Sequence, residues 1–114
     1  MSRIEERLAE LGSPLPELAK PVAAYVPAVV SGNLVFTSGQ LPFVAGALPE
    51  TGKLGATVSP ENGKAYARQC ALNALAAVKS VIGDLDRVTR VVKLVGFVAS
   101  TPDFSGQPGV INGA

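Results

Sequence analysis

VTRVVKLVGFVA, at residues 88–99, is apolar at both alternating sets of positions over most of its length. Only Arg90 and Lys93 place charge near its beginning. Such a two-faced apolar run is typical of a strand at the centre of a covered sheet rather than of a half-exposed strand. Residues 88–99 are therefore predicted to form a central strand that needs a cover on each face.

The longest predicted helix lies before this strand, between Ser59 and Gly83. Ser59 is a good N-cap, Pro60 suits the first turn, and Gly83 stands where a helix C-terminus favours positive φ. The predicted buried face carries Ala67, Ala71, Ala74, Val78 and Val81, whereas Lys79 is assigned to the wet face. This helix can cover one face of the strand, and a partner subunit is the simplest cover for the other.

The remaining elements are shorter. Residues 26–30 and 33–37 are strand formers separated by Ser31 and Gly32, which predicts a tight antiparallel hairpin. Residues 41–58 are rich in Gly and Pro and are predicted to be loop, with a short edge strand at residues 55–58. Residues 108–114 begin like a second helix.

The N-terminus carries a helix signal of its own. Ser2 and Glu5 form a capping box, and Ile4, Leu8 and Leu11 share one face, so residues 3–11 are predicted to form a short docking helix. Prolines then make residues 13–21 an extended linker. The predicted organisation is a helix with its linker at residues 1–21, followed by one domain at residues 22–114.

Composition limits the possible functions. The chain has 114 residues, with ten basic and nine acidic side chains and no histidine. This near-neutral balance provides no excess of positive charge that would bind nucleic acid or an anionic membrane. The apolar runs are shorter than the ~20 residues that a membrane-spanning helix needs. A cytoplasmic location is predicted. The lack of histidine removes Ser-His and Cys-His nucleophile pairs and the usual zinc sites, and no metal or cofactor is predicted.

Few residues suggest chemistry by themselves. Ser38 and Gly39 belong to a polar quartet, TSGQ at residues 37–40, which is either a plain strand-ending turn or a place where a ligand approaches the backbone. Tyr25 is either a half-buried aromatic residue or a pocket wall. Asn112 reads as an exposed polar residue, and Cys70 as part of the packed core.

The loop GALPETGKL, at residues 46–54, superficially resembles a phosphate-binding loop. Five residues rather than four separate its glycines, and Leu54 stands where the magnesium-binding hydroxyl would be. A plain turn is therefore the favoured interpretation.

Taken together, several motifs resemble a known family. Tyr25-Val26 and GNLVFTSGQLP at residues 32–42 are similar to the signature of the reactive intermediate deaminase family, also called RidA, YjgF or endoribonuclease L-PSP. The order and spacing continue in TGK at 51–53, CALNAL at 70–75, LDRV at 85–88, DF at 103–104 and VIN at 110–112. The resemblance covers about residues 25–114.

This resemblance implies a chorismate-mutase-like, ferredoxin-like α+β fold, in which a mixed sheet is backed by two helices. It implies a homotrimer with clefts between subunits. In such a trimer a neighbouring subunit would cover the second face of the predicted central strand. The implied activity is hydrolysis of reactive 2-enamine or 2-imine acids to 2-oxo acids and ammonia, without a cofactor. The implied partners are therefore the chain itself and a small imino or oxo acid.

By position, the resemblance implies that Tyr25 lines the cleft, that Ser38 and Gly39 contact substrate, and that Asn112 reaches it from the neighbouring segment. The arginine that binds the substrate carboxylate in the family would lie beyond Ala114. The 114 residues are therefore expected to be a truncated or incompletely recorded chain that lacks the last strands and is inactive in this form. A non-catalytic trimer that binds a small metabolite is the alternative, and an endoribonuclease or translation inhibitor is a weaker one.

Overall fold

The computed structural model describes residues 1–18 and 23–114 and has an α+β architecture. In chain order it contains α1 (Arg3–Glu10), β1 (Ala28–Ser31), β2 (Leu34–Thr37), α2 (Pro60–Ile82), a 3₁₀ turn (Leu85–Arg87) and α3 (Gln107–Ile111). Two compact units divide the chain, Met1–Gln40 with Leu72–Val92 and Leu41–Ala71 with Lys93–Ala114. The linker predicted at residues 13–21 and the domain boundary after it lie partly outside the described residues.

The predicted hairpin is confirmed. β1 and β2 pair antiparallel, with Val29 opposite Phe36 and Ser31 opposite Leu34. Gly32 has φ of +59°, which the first central position of a type II′ hairpin turn requires and glycine adopts without a steric penalty. This turn sets the register that carries β2 to its end at Thr37.

The N-terminal helix is held by carboxylates. The Asp86 carboxylate accepts hydrogen bonds from the backbone N–H of Arg3 at 2.9 Å and of Ile4 at 3.0 Å. Ser2 caps Glu5 N–H at 3.1 Å, as the capping box predicts. A side chain distant in sequence thus satisfies two N–H groups that have no partner within a helix.

The apolar face predicted for this helix is only partly right. Leu11 is 56% exposed and lies at the C-cap, whereas Glu5 is only 8% exposed. The Glu5 carboxylate accepts from Lys79 Nζ at 3.0 Å and from the Ser2 hydroxyl at 3.2 Å. Lys79, which was predicted to be solvent-exposed, is therefore the ion-pair partner of Glu5. This ion pair allows the charged Glu5 carboxylate to be buried.

We expect acid to weaken the attachment of α1. Hydrogen bonds from Arg3 N–H and Ile4 N–H hold the pKa of Asp86 below its ordinary value. A carboxylate with a lowered folded-state pKa stabilises above its unfolded pKa of about 3.9, and this stabilisation is lost as pH falls through the lower folded value. The amide NMR signals of Arg3 and Ile4 should therefore shift together below about pH 4. The same transition in Asp86→Asn would contradict this assignment.

Both predicted caps of the long helix are confirmed, and its predicted buried face is confirmed in part, since Ala67 packs on the Leu54 cluster. Ser59 Oγ accepts from Asn62 N–H at 3.1 Å, and Gly83 has φ of +80°. The deeply buried positions are Asn73, Ala76 and Ala77, whereas Val81 is 39% exposed. Alanine occurs around most of this helix, so the sequence pattern has too little contrast to fix which side is buried.

In the second unit, a small core holds the loop at residues 41–58. Leu54, Val58 and Val110 form a buried cluster. The predicted edge strand at residues 55–58 is wrong, since residues 55–57 form a turn. Among the residues that the structure describes, pairing here is limited to single bridges from Leu54 to Val58 and to Ser100. Tyr66 of α2 donates its hydroxyl hydrogen to Glu50 at 2.8 Å, and this bond raises the pKa of Tyr66.

Residues 88–99 do not form the predicted central strand. Within the described chain, the backbone of this segment makes no ladder of hydrogen bonds, and its pairing is limited to Ala99 and Ser100 beside Leu54. A strand is defined by paired neighbours, and an apolar pattern alone cannot supply them. The element predicted at residues 108–114 is confirmed as α3, which begins one residue earlier, at Gln107, and ends at Ile111.

Alternation along the end of this segment separates two faces. Gly96 lies so close to Ile111 of α3 that a Cβ atom would collide with it, and Val98 packs on the Leu54 cluster. Phe97, which stands between them, is 94% exposed, and Val95 is 61% exposed. Gly96 and Val98 are therefore on the side that packs on α3 and the Leu54 cluster, whereas Val95 and Phe97 form an uncovered apolar face.

Candidate functional site

The end of β2 is the first part of the candidate site. Ser38 follows Thr37, the last residue of β2, and its backbone N–H donates to Pro27 O at 2.9 Å, so pairing with the first strand continues one residue past the ladder. The chain is thus fixed up to Ser38. Gly39 follows immediately, so Ser38 and the start of Gly39 have a defined backbone position at the end of β2.

The Ser38 side chain is tied to two neighbours. Its hydroxyl donates to Pro27 O at 3.3 Å. The Gln40 side-chain nitrogen Nε2 lies 3.3 Å from Ser38 O and 3.4 Å from Ser38 Oγ. Gln40 was recognised in the sequence as a member of the polar quartet but not as a site residue, and only its spacing of two residues from Ser38 hints at this contact.

Gly39 is open to approach from outside. A methyl group at this position would have no heavy atom within 4 Å, and the residue is not in the left-handed region. In the described part of the chain, its N–H donates to no other group. An accessible peptide N–H beside a fixed hydroxyl can bind a carboxylate or carbonyl oxygen of a ligand.

Tyr25 lies on the segment that leads into β1. Its backbone N–H donates to Ala23 O at 2.9 Å, and its side chain is 44% exposed. The residue is two positions before Pro27, the backbone partner of Ser38. Tyr25, Ser38 and Gly39 therefore belong to the same unit, on the segments that precede β1 and follow β2.

Asn112 belongs to the other unit, where it is the C-cap of α3. Its backbone N–H donates to Pro108 O at 3.0 Å, and its side chain is exposed.

Contacts at both ends hold α3 in place. Next to Asn112, Gly113 contacts the Lys64 carbonyl so closely that a Cβ atom could not fit. At the other end of α3, the Gln107 amide donates to Phe104 O at 2.8 Å and to Ser100 Oγ at 3.1 Å. These contacts fix the helix that carries Asn112.

Other reactive side chains are engaged elsewhere. Cys70 is half-buried, and burial raises the pKa of its thiol, which makes it a poorer nucleophile at neutral pH. The Arg87 guanidinium donates to Ile82 O at the C-terminal end of α2, at 2.8 Å. Over residues 1–18 and 23–114, no group of three or more His, Cys, Asp or Glu side chains is placed to hold a metal ion.

None of the helices in the described ranges is long and apolar enough to cross a membrane.

The family of the chain follows from comparison with known proteins. The model of the family described as "YjgF/chorismate_mutase-like, putative endoribonuclease" matches residues 5–114. The chain belongs to this family, which confirms both the resemblance drawn from the TSGQ region and the chorismate-mutase-like α+β fold.

Individual relatives agree with this membership. Protein TCP17 of Trypanosoma cruzi is 46% identical over 112 residues, which are 98% of this chain and 70% of that protein. The crystal structure of protein Atu1372 of Agrobacterium tumefaciens, a protein of unknown function, has 48% identity and a TM-score of 0.86, over 96% of this chain and 66% of that one. A putative endoribonuclease from Shewanella oneidensis has 34% identity and a TM-score of 0.90, over 96% and 72%. The chain thus spans about two thirds of the length of these relatives.

Proposed function

We propose that this chain provides the strand-end part of a site that hydrolyses reactive 2-enamine or 2-imine acids to 2-oxo acids and ammonia. The observation that carries the proposal is the pairing of an accessible Gly39 N–H with a fixed Ser38 hydroxyl at the end of β2. In the reaction, water adds to the C=N carbon, and the nitrogen then leaves as ammonia while a C=O bond forms.

Such a reaction needs positioning more than it needs a strong nucleophile. An imine carbon is electrophilic, so groups that fix the acid and orient water supply much of the catalysis. The Gly39 N–H is suited to an oxygen of the substrate, and the Ser38 hydroxyl to a second polar atom. Tyr25 would form a wall of the cleft, and the exposed Asn112 amide would contact the substrate from a neighbouring segment. No step of this scheme uses a cofactor.

The site is proposed to be completed by assembly into a homotrimer with clefts between subunits. The uncovered apolar face supports this, because the side chains of Phe97 and Val95 are largely exposed in the isolated chain. Large exposed apolar side chains in a row are typical of interfaces. A guanidinium group for the substrate carboxylate is also part of the proposal, since a bidentate contact of this kind is hard to replace with neutral donors.

An RNA-directed activity has weaker support. The family and one relative are described as putative endoribonucleases. The chain nevertheless carries a net charge of only +1, whereas nucleic-acid binding depends on clustered Lys and Arg that release counterions. A non-catalytic module that binds a small acid in the same cleft is the main competitor.

The proposal is tested by trapping an imino acid with semicarbazide and following its disappearance. The protein should accelerate hydrolysis. Binding of a 2-oxo acid without any acceleration would instead favour the binding module. Absence of both binding and acceleration would reject both functions.

A further inference from the structure

The hydroxyl of Ser38 has a defined hydrogen-bonding direction. A serine hydroxyl has one hydrogen to donate and two lone pairs that accept. Pro27 O is a carbonyl oxygen and can only accept, so the contact of 3.3 Å between it and Ser38 Oγ uses the serine hydrogen. Ser38 therefore has no hydrogen left for a ligand while this bond is kept.

The contact with Gln40 limits the hydroxyl further. The Gln40 nitrogen Nε2 lies 3.3 Å from Ser38 O, which is another carbonyl oxygen, so the amide must direct its NH₂ group toward Ser38. The same nitrogen lies 3.4 Å from Ser38 Oγ and donates to it. These are long hydrogen bonds, and their importance lies in direction more than in strength. They leave Ser38 Oγ with a single unused lone pair.

We propose that Gln40 is a positioning residue that holds the Ser38 hydroxyl as an acceptor, so that Ser38 binds a hydrogen-bond donor of the ligand. This inference rests on the proposed function and adds a rule for the ligand. The group facing Ser38 must carry an N–H or O–H hydrogen, as a protonated imine, an amine, a hydroxyl group or water does. The carbonyl oxygen of a 2-oxo acid has no such hydrogen.

The acceptor role of Ser38 affects substrate and product differently. The imino acid can donate its N–H to Ser38, whereas the 2-oxo acid product places a carbonyl oxygen at C2 and cannot. Two acceptor atoms facing each other repel, so the product should bind less tightly than a ligand with a donor at C2. Ser38 would then favour substrate over product, and the Gly39 N–H would remain available for oxygen atoms of either.

A matched pair of ligands tests this rule. 2-Hydroxybutyrate and 2-oxobutyrate have the same carbon skeleton and the same charge, but only the hydroxy acid has a donor at C2. Their dissociation constants are measured with the protein by isothermal titration calorimetry. We expect the hydroxy acid to bind about fivefold more tightly, the size expected for one neutral hydrogen bond.

Variants separate positioning from a structural role. Ser38→Ala should remove the preference, and Ser38→Thr, which keeps the hydroxyl, should retain it. Gln40→Met, of similar length but without a donor, should reduce the preference. If Gln40 were merely structural, this change would weaken both ligands equally and leave their ratio unaltered.

The results separate the role proposed for Gln40 and Ser38 from the proposed function on which it rests. Equal or tighter binding of 2-oxobutyrate to the unaltered protein overturns the inference alone, as does an unchanged ratio in Gln40→Met. If neither acid binds, the proposed function fails and the inference fails with it.

Discussion

Replacing Gly39 with alanine should weaken the binding of a 2-oxo acid about 10- to 100-fold while leaving the melting temperature almost unchanged. Alanine keeps the backbone N–H, but its methyl group would keep a ligand oxygen away from that N–H, and the loss of one such hydrogen bond to a charged group corresponds to about 1.5–3 kcal/mol. The added methyl group meets no atom of the chain within 4 Å, so any effect must come from a ligand that needs this space. Binding is measured by calorimetry, and stability by thermal unfolding.

Gly109→Ala is the matched control. Gly109 also has open space around it and is outside the left-handed region, but it lies within α3, in the other unit. This variant should bind the acid normally. Normal binding by Gly39→Ala would contradict the site, and a large fall in its melting temperature would mean that Gly39 has a structural role instead.

Replacing Phe97 with aspartate should convert the proposed trimer into single chains. Phe97 is 94% exposed in the isolated chain, and the residues on either side of it face the core of the second unit. Buried aromatic side chains at interfaces often contribute 2 kcal/mol or more, and an unpaired buried carboxylate is strongly unfavourable. Light scattering on the eluting protein should show the mass fall from three protomers to one.

Ser105→Asp adds the same charge at an exposed loop position and should leave the assembly intact. An unaltered protein that elutes as a monomer would reject the trimer outright. A trimer that survives Phe97→Asp would show that the uncovered apolar face is not the interface.

Local signals in the sequence predicted local structure well. Ser59 and Gly83 bracket α2 because capping depends on a few adjacent residues. Gly32 likewise predicts the hairpin turn. Residues 88–99 were predicted as a strand from their apolar pattern, but strand formation needs hydrogen-bonding neighbours, and pattern alone does not identify them.

Long-range polar contacts could not be predicted in the same way. Asp86 caps α1 across more than eighty residues of sequence, and the Glu5–Lys79 pair makes a buried acid possible where the sequence suggested an apolar face. Ser38 and Gly39 were found through a family motif, whereas the direction of the Ser38 hydroxyl depends on where Pro27 O and the Gln40 amide lie. Such geometry has no sequence pattern of its own.

The most direct test is an amide NMR titration of the protein with 2-oxobutyrate. The site at the end of β2 predicts a saturable downfield shift of the Gly39 amide proton, because that N–H gains an acceptor, with no such shift at Gly109. A titration in which the acid binds while the Gly39 signal stays in place would contradict the account.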